Sequence, residues 1–261
     1  MKALGIIGFG NMGCAIAAGL KAIEVKIAVT DAKLERLKVA EEEYKLQVYK
    51  NNKELVSFSE IIILAVKPQE LNKLSKEIGS LCTGKKLISI IAGKSIKSIL
   101  KDFNADSMAR FMPNLAARNG KALVGISFCG NSDEKFKNEC LNISKAIGTP
   151  CEIEENLMPA VTGLSGSGIA FVFSFIHALA LGGVASGINY KKSVEIALAT
   201  VEGALEVLKS SPDNPIEWLS RVISPAGTTI SGVKKLEEYG FTNSVIKAVE
   251  AAAKKAEELE K

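Results

Sequence analysis

The sequence predicts an α/β chain in which strand and helix alternate up to residue 156 and only helices follow. Three observations carry the prediction. The first apolar run leads into Gly8-Phe9-Gly10-Asn11-Met12-Gly13. Further apolar runs then recur between helical patterns. Near Glu154-Glu155-Asn156 the composition shifts, and beyond it every periodic segment has helical spacing. At 261 residues the chain can bury a large core as one or two domains, here 1–156 and 157–261.

Residues 3–8 are apolar throughout, as a strand covered on both faces should be. Glycines 8, 10 and 13 then stand in G-x-G-x-x-G spacing before a helical run of small and apolar residues. Between a buried strand and a helix this is the Rossmann dinucleotide-binding signature. The first glycine makes the turn, the second admits a pyrophosphate, and the third lets helix pack on strand. The strand over 26–30 ends at Asp31, where a residue facing the adenine ribose belongs; an N-cap for the helix over 33–43 is the competing role. The strand over 61–66 delivers Ala65, Val66, Lys67 and Pro68 to the carboxyl end of the sheet, beside a cofactor. The strand over 87–91 ends in Ala92-Gly93, with Ser95 placed to cap the next helix. Strands over 108–112, 122–128 and 151–153 and a helix over 134–146 complete the first domain. Helices over 160–186, 191–210, 215–222, 230–239 and 243–260 make up the second.

Composition narrows the classes. Net charge is only +4, with acidic and basic residues interleaved as in Lys33-Leu34-Glu35-Arg36, so no nucleic-acid stripe is present. Five cysteines without CxxC spacing suit a reduced, cytoplasmic setting as buried fillers, and no metal site is expected. The first apolar run is too short and too glycine-broken for a signal peptide. Residues 156–190 contain no Asp, Glu, Lys or Arg, a length that permits a membrane span. The glycines and the lack of flanking Lys or Arg clusters point instead to a helix buried between subunits, with no membrane. Ala178, Ala180, Gly182, Gly183, Ala185 and Gly187 would let a second helix approach closely.

Ser224-Pro225-Ala226-Gly227-Thr228-Thr229 reads as a loop entering a helix. Pro225 stops a preceding helix, Gly227 permits a turn, and Ile230, Val233 and Leu236 recur at helical spacing. The unpaired N–H groups of a helix start make an anion site. The dipole contributes only about 0.3–1 kcal/mol, so hydroxyl and N–H bonds of roughly 1.5–3 kcal/mol each must add to it. Ser224 and the N–H groups of Gly227 and Thr228 are the candidates; an ordinary capped helix is the plain alternative.

With the glycine loop, Ala65-Val66-Lys67-Pro68-Gln69, Met112-Pro113-Asn114, Leu164-Ser165-Gly166-Ser167-Gly168 and the 224–229 loop together, the chain resembles the pyrroline-5-carboxylate reductase family over essentially its whole length. That resemblance implies reduction of 1-pyrroline-5-carboxylate to proline, the last step of proline biosynthesis, by NADPH or NADH. It implies cofactor contacts from Gly8, Gly10, Asn11, Met12, Gly13, Asn52, Ala65, Val66, Lys67 and Pro68. The imino acid carboxylate and ring nitrogen would go to Ser224, Gly227, Thr228 and Thr229. It also implies a homodimer with intertwined helical domains, or a higher assembly of dimers. Ala92, beside the cofactor, and Asp31, which favours NADH, complete the expected site. Three departures stand out: Ala226 replaces a glycine, Leu115-Ala116 replaces Thr-Pro, and Ile169 replaces proline.

The missing residues agree with imine chemistry. An alcohol dehydrogenase needs an acid or base for the hydroxyl proton. The single histidine, His177, lies on an apolar helix and reads as structural. A protonated cyclic imine needs mainly geometry, with the Thr229 hydroxyl steering the nitrogen. A related imine reductase, a hydroxyacid dehydrogenase of similar build and a cofactor-sensing scaffold are the competing functions. The dehydrogenase would want a lysine on the central helix, and residues 170–185 have none.

Overall fold

A computed structural model describes residues 3–260; Met1, Lys2 and Lys261, the outer ends of the two expected domains, lie outside the described residues. Eight strands form one sheet: β1 Leu4–Ile7, β2 Ile27–Thr30, β3 Gln47–Val48, β4 Ile61–Leu64, β5 Lys86–Ser89, β6 Ser107–Met112, β7 Ala122–Phe128 and β8 Gly148–Glu152. Their spatial order is β3-β2-β1-β4-β5-β6-β7-β8. Pairing is parallel from β3 to β6, antiparallel between β6 and β7, and parallel between β7 and β8. The chain builds outward from β1 to β3 and then returns to β4 on the other side of β1. The crevice between the carboxyl ends of β1 and β4 is therefore the switch point at which such sheets bind ligands.

Both sheet faces are covered, which explains the unbroken apolar strands. Ile6, Val29 and Ile63 pack under α1 Asn11–Leu20, α2 Leu34–Glu42 and α6 Glu134–Ile147, while Ile62, Leu64 and Leu87 pack under α3 Asn52–Phe58, α4 Leu71–Ile78 and α5 Ile96–Leu100. Ser95 does cap α5, accepting the Ser98 N–H at 3.2 Å. Cys82 and Cys140 are buried, and burial pushes the Cys82 thiol up to about 11. Cys14 and Cys129 are only half-buried and hydrogen-bonded rather than mere filler.

The second part is helical: α7 Met158–Val161, α8 Gly168–Ala185, α9 Tyr190–Lys209, α10 Pro215–Val222, α11 Thr228–Glu238 and α12 Phe241–Glu258. The helix expected over 160–186 is interrupted by a π turn at Thr162–Gly166. Contacts divide the chain into two compact units, one running to Ser167 and taking back the chain from Glu250, the other Gly168–Val249. The first unit extends past residue 156 because Met158 and Val161 pack with Met112 in a small core. Its claim on the C-terminus comes from Arg110, buried on β6, which pairs with both Glu155 and Glu260.

Within the helical unit α8 is apolar all round yet buries only Ala180. Phe173 is 55% exposed, and Val172, Phe175, Leu179, Leu181 and Val184 are exposed as well. Glu155–Ala185 is the single stretch among the described residues long and apolar enough to cross a membrane. Gly183 does admit a close helix approach, but the neighbour is α9 of the same chain, since a Cβ there would lie 2.6 Å from Ser193 Oγ. Gly182 and Gly187 have open space.

Candidate active site

The nucleotide-binding unit carries a cleft of about 600 Å³ at the switch point, lined by Gly8, Gly10, Asn11, Met12, Asp31, Asn52, Ala65, Val66 and Lys67 from the expected set. Gly8 has φ +100°, and a Cβ there would sit 2.6 Å from the Ala65 carbonyl oxygen, so both backbone and neighbour demand glycine. At Gly13 a Cβ would collide with the Gly8 carbonyl oxygen, which is the close helix-on-strand contact expected of the third glycine. A Cβ built on Gly10 would meet nothing nearer than Arg36 Nη1 at 3.7 Å, so its surroundings are open. Gly10 is also the N-cap of α1; it offers no side chain, and the first turn holds no acidic residue. The start of this ten-residue helix thus lies at the cleft, which Gly10, Asn11 and Met12 line.

Asp31 does not cap α2, whose N-cap is Lys33. Its carboxylate accepts the Phe9 N–H at 2.7 Å and the Lys33 N–H at 2.8 Å, and pairs with Arg36 at 3.1 Å. One carboxylate thereby ties the glycine loop to the end of β2. Asn52, first residue of α3, donates its amide to Glu77 at 2.9 Å. Gly13, Pro68 and Ala92 are not among the cleft-lining residues: Gly13 is buried in packing, Pro68 opens the turn Pro68–Glu70, and Ala92 is exposed beside Gly93. Sequence reading missed Lys73 and Glu77, which line the cleft from α4. The spacing of Leu71, Leu74 and Ile78 was the signal for that helix.

In the helical unit Ser224, Gly227, Thr228 and Thr229 gather at one helix start. The Gly227 N–H donates to the Ser224 carbonyl at 3.0 Å, closing a turn around Pro225 and Ala226. Ala226 has φ +60°, the left-handed region a type II turn requires at its third residue and fills with glycine. A Cβ on Gly227 would collide with Ser224 Oγ, so the hydroxyl tucks against the glycine backbone. Because its N–H is spent in the turn, Gly227 serves this loop by lacking a side chain, and the open donors are the Thr228 and Thr229 N–H groups. The N-terminus of α11 has no side-chain cap and no acidic residue in its first turn. Among the described residues, no protein group takes the Ser224, Thr228 or Thr229 hydroxyls. Thr229 is half-buried; Ser224 and Thr228 are exposed. His177 lies on α8 with Nδ1 3.1 Å from the Tyr190 hydroxyl.

Residues 155–259 match the family described as pyrroline-5-carboxylate reductase dimerisation, and residues 3–93 the family described as NADP oxidoreductase, coenzyme F420-dependent. The pyrroline-5-carboxylate reductase of Aquifex aeolicus is 39% identical, spanning 98% of this chain and 97% of that protein. The chain belongs to the pyrroline-5-carboxylate reductase family. The family member from Synechocystis is 38% identical across 99% of this chain and 98% of its own length. Among solved structures, the Plasmodium falciparum pyrroline carboxylate reductase with NADP bound has a TM-score of 0.92 at 28% identity, covering 100% of this chain and 98% of that one. The Streptococcus pyogenes 1-pyrroline-5-carboxylate reductase has a TM-score of 0.91 at 30% identity, with 98% of each chain covered. As a family member the chain is an NAD(P)H-dependent reductase with an N-terminal Rossmann-like region and a helical C-terminal region.

Proposed function

We propose that this reductase converts 1-pyrroline-5-carboxylate to proline, with Ser224, Thr228 and Thr229 holding the imino acid. The observation that carries the assignment is the start of α11, which has free N–H groups, free hydroxyls and no acidic side chain in its first turn. The substrate carries a carboxylate next to an imine nitrogen, so it needs an anion site and a hydroxyl close together. The carboxylate takes the Thr228 and Thr229 N–H groups and Ser224 Oγ, at roughly 1.5–3 kcal/mol per bond to the charged group. The Thr229 hydroxyl steers the ring nitrogen. Gly8 and Gly10 with Asn11 and Met12 would hold the pyrophosphate, Gly13 letting α1 pack close against the glycine loop, and Ala65, Val66 and Lys67 would flank the dinucleotide beyond it.

The dinucleotide supplies a hydride, and the C=N carbon accepts it as the nitrogen, already protonated, becomes the ring amine. The protein's part is to bring that carbon to roughly 3–3.5 Å from the hydride carbon and to exclude competing acceptors. NADH serves at least as well as NADPH in this reading. Beside a carboxylate about 4 Å away, a 2′-phosphate is repelled by roughly 4 kcal/mol at an effective dielectric near 20. Arg36, 3.1 Å from Asp31, offsets part of that and keeps NADPH usable.

The working unit is a homodimer, or a higher assembly of dimers, in which a second copy covers α8. Support comes from the exposed side chains of α8 and from the match of residues 155–259 to a dimerisation family. A bilayer span fits less well, because a π turn and several glycines interrupt the apolar stretch.

Ser224→Ala and Thr229→Ala test the substrate assignment. Each should lower kcat/KM for the imino acid by about tenfold or more while the dissociation constant for the dinucleotide stays within about twofold. Weakening of cofactor binding in step with kcat/KM in both variants would contradict it.

A further inference from the structure

Met112-Pro113-Asn114 and Leu164-Ser165-Gly166-Ser167-Gly168 lie far apart in sequence, and the site described above uses neither. They meet through one side chain. Asn114 Nδ2 donates to the Ser165 carbonyl at 3.3 Å and to Ser165 Oγ at 3.1 Å. Its Oδ1 accepts the Ala116 N–H at 3.0 Å and so caps the 3-10 turn Leu115–Asn119. Both bonds donated by the amide nitrogen thus go to a single residue of the π turn.

Two features make that placement matter. The first is the order of the strands. Asp31 ends β2, the glycine loop follows β1, Ala65 follows β4, and Asn114 follows β6, with β5 between. A dinucleotide with its ribose at Asp31 and its pyrophosphate at the glycine loop would run over β4 in the direction of β5 and β6. Asn114 is therefore on the nicotinamide side of the sheet. The second is the path of the chain. Before the π turn, α7 is held by packing, with Val161 so close to β7 that a Cβ on Gly125 would lie 2.9 Å from its Cγ1. Within the turn, the Ser167 N–H reaches the Thr162 carbonyl at 2.7 Å. Ser167 is also the last residue of the first compact unit before the helical one begins. A π turn is a wider and less regular turn than an α-helix and often marks a functional site. Here the Asn114 amide ties its Ser165 to the sheet.

We propose that Asn114 is a positioning residue for hydride transfer, fixing the π turn through Ser165 beyond the cleft, on the side of β4 away from Asp31. The proposal rests on the reductase reading above. Its effect belongs in the transfer step rather than in holding either ligand, because the Asn114 amide is engaged by Ser165 and by the Ala116 N–H.

Asn114→Asp tests this, since it keeps the acceptor that caps the 3-10 turn and replaces the donor with an oxygen facing the Ser165 carbonyl. The expected result is a fall in kcat of about tenfold, a larger primary deuterium effect on kcat with labelled cofactor, and dinucleotide affinity within about twofold of the parent. Ser165→Ala, which removes one of the two bonds, should lower kcat by about threefold, and the double variant should be no slower than Asn114→Asp alone. Parental kcat in Asn114→Asp, losses that track cofactor affinity, or multiplicative effects of the two changes would each overturn the proposal. If Asn114→Asp fails to fold, Ser165→Ala decides: parental kcat overturns the proposal and the threefold loss supports it. An inactive parent protein with pyrroline-5-carboxylate would instead mark failure of the reductase reading.

Discussion

Ala226, where the family resemblance leads one to expect glycine, holds a backbone conformation at a visible physical cost. A left-handed backbone at φ +60° is open to glycine and strained for alanine, by about 1–2 kcal/mol. Its position after Pro225 in a closed turn leaves it no other conformation. Ala226→Gly should therefore stabilise the protein by roughly 0.5–1 kcal/mol after the extra chain entropy of glycine is counted. Thermal melting of the two proteins checks this, and a lower Tm for the glycine variant would contradict the assigned strain. Arg36 is the second residue with a clear test. Removing its guanidinium leaves the Asp31 carboxylate without its ion-pair partner. Arg36→Ala should therefore lower kcat/KM with NADPH several-fold more than with NADH. Equal losses with both cofactors would show that Arg36 does not act at the 2′ position. The glycines at 8, 10 and 13 were readable in the sequence because a buried strand and a helix bracket them. The Asn114–Ser165 link and the pairing of Arg110 with Glu155 and Glu260 were not, since only tertiary folding brings such distant residues together.

Elements were legible in proportion to their length and periodicity. The strand at Ala122–Phe128 and the helix at Pro215–Val222 have the bounds their patterns predict. Strand β3, two residues long, is too short to stand out from its surroundings, and α4, as long as the legible α10, lacks the Asn-Pro start that marks that helix. The π turn was invisible because Thr162–Gly166 holds neither proline nor charge to set it off from the uncharged helices on either side. Helix α8 shows what apolar composition does and does not reveal. The lack of charge over 156–190 did predict a surface that needs covering, whereas the neighbour of Gly183 had to be seen, and it is Ser193 of the same chain. Phe173, exposed on α8, is thus the better probe of assembly than Gly183, whose replacement would disturb α8 against α9 first. Phe173→Glu should place an unpaired charge in the subunit interface, dissociate the dimer and lower activity with it. Light scattering with a parallel assay checks this; a dimer of parental mass and full turnover would remove α8 from the interface.

At the scale of the whole molecule, the order of the parts was legible before the structure: a Rossmann-like unit with its crevice at the strand ends, followed by a helical unit. The contact boundary at Ser167 was not, because it depends on Met158 and Val161 joining the core of the first unit and on the C-terminal segment returning to it. The central claim is that the two units serve reduction of a cyclic imino acid without a general base. The most direct measurement follows NADH and NADPH oxidation with pyrroline-5-carboxylate beside its six-membered homologue and a panel of 2-keto and 3-hydroxy acids. The account predicts rapid oxidation with pyrroline-5-carboxylate, slower or none with the larger ring, and none with the keto acids, nor any reduction of NAD(P)+ by the hydroxy acids. Turnover of a keto or hydroxy acid exceeding that of the imine would contradict it.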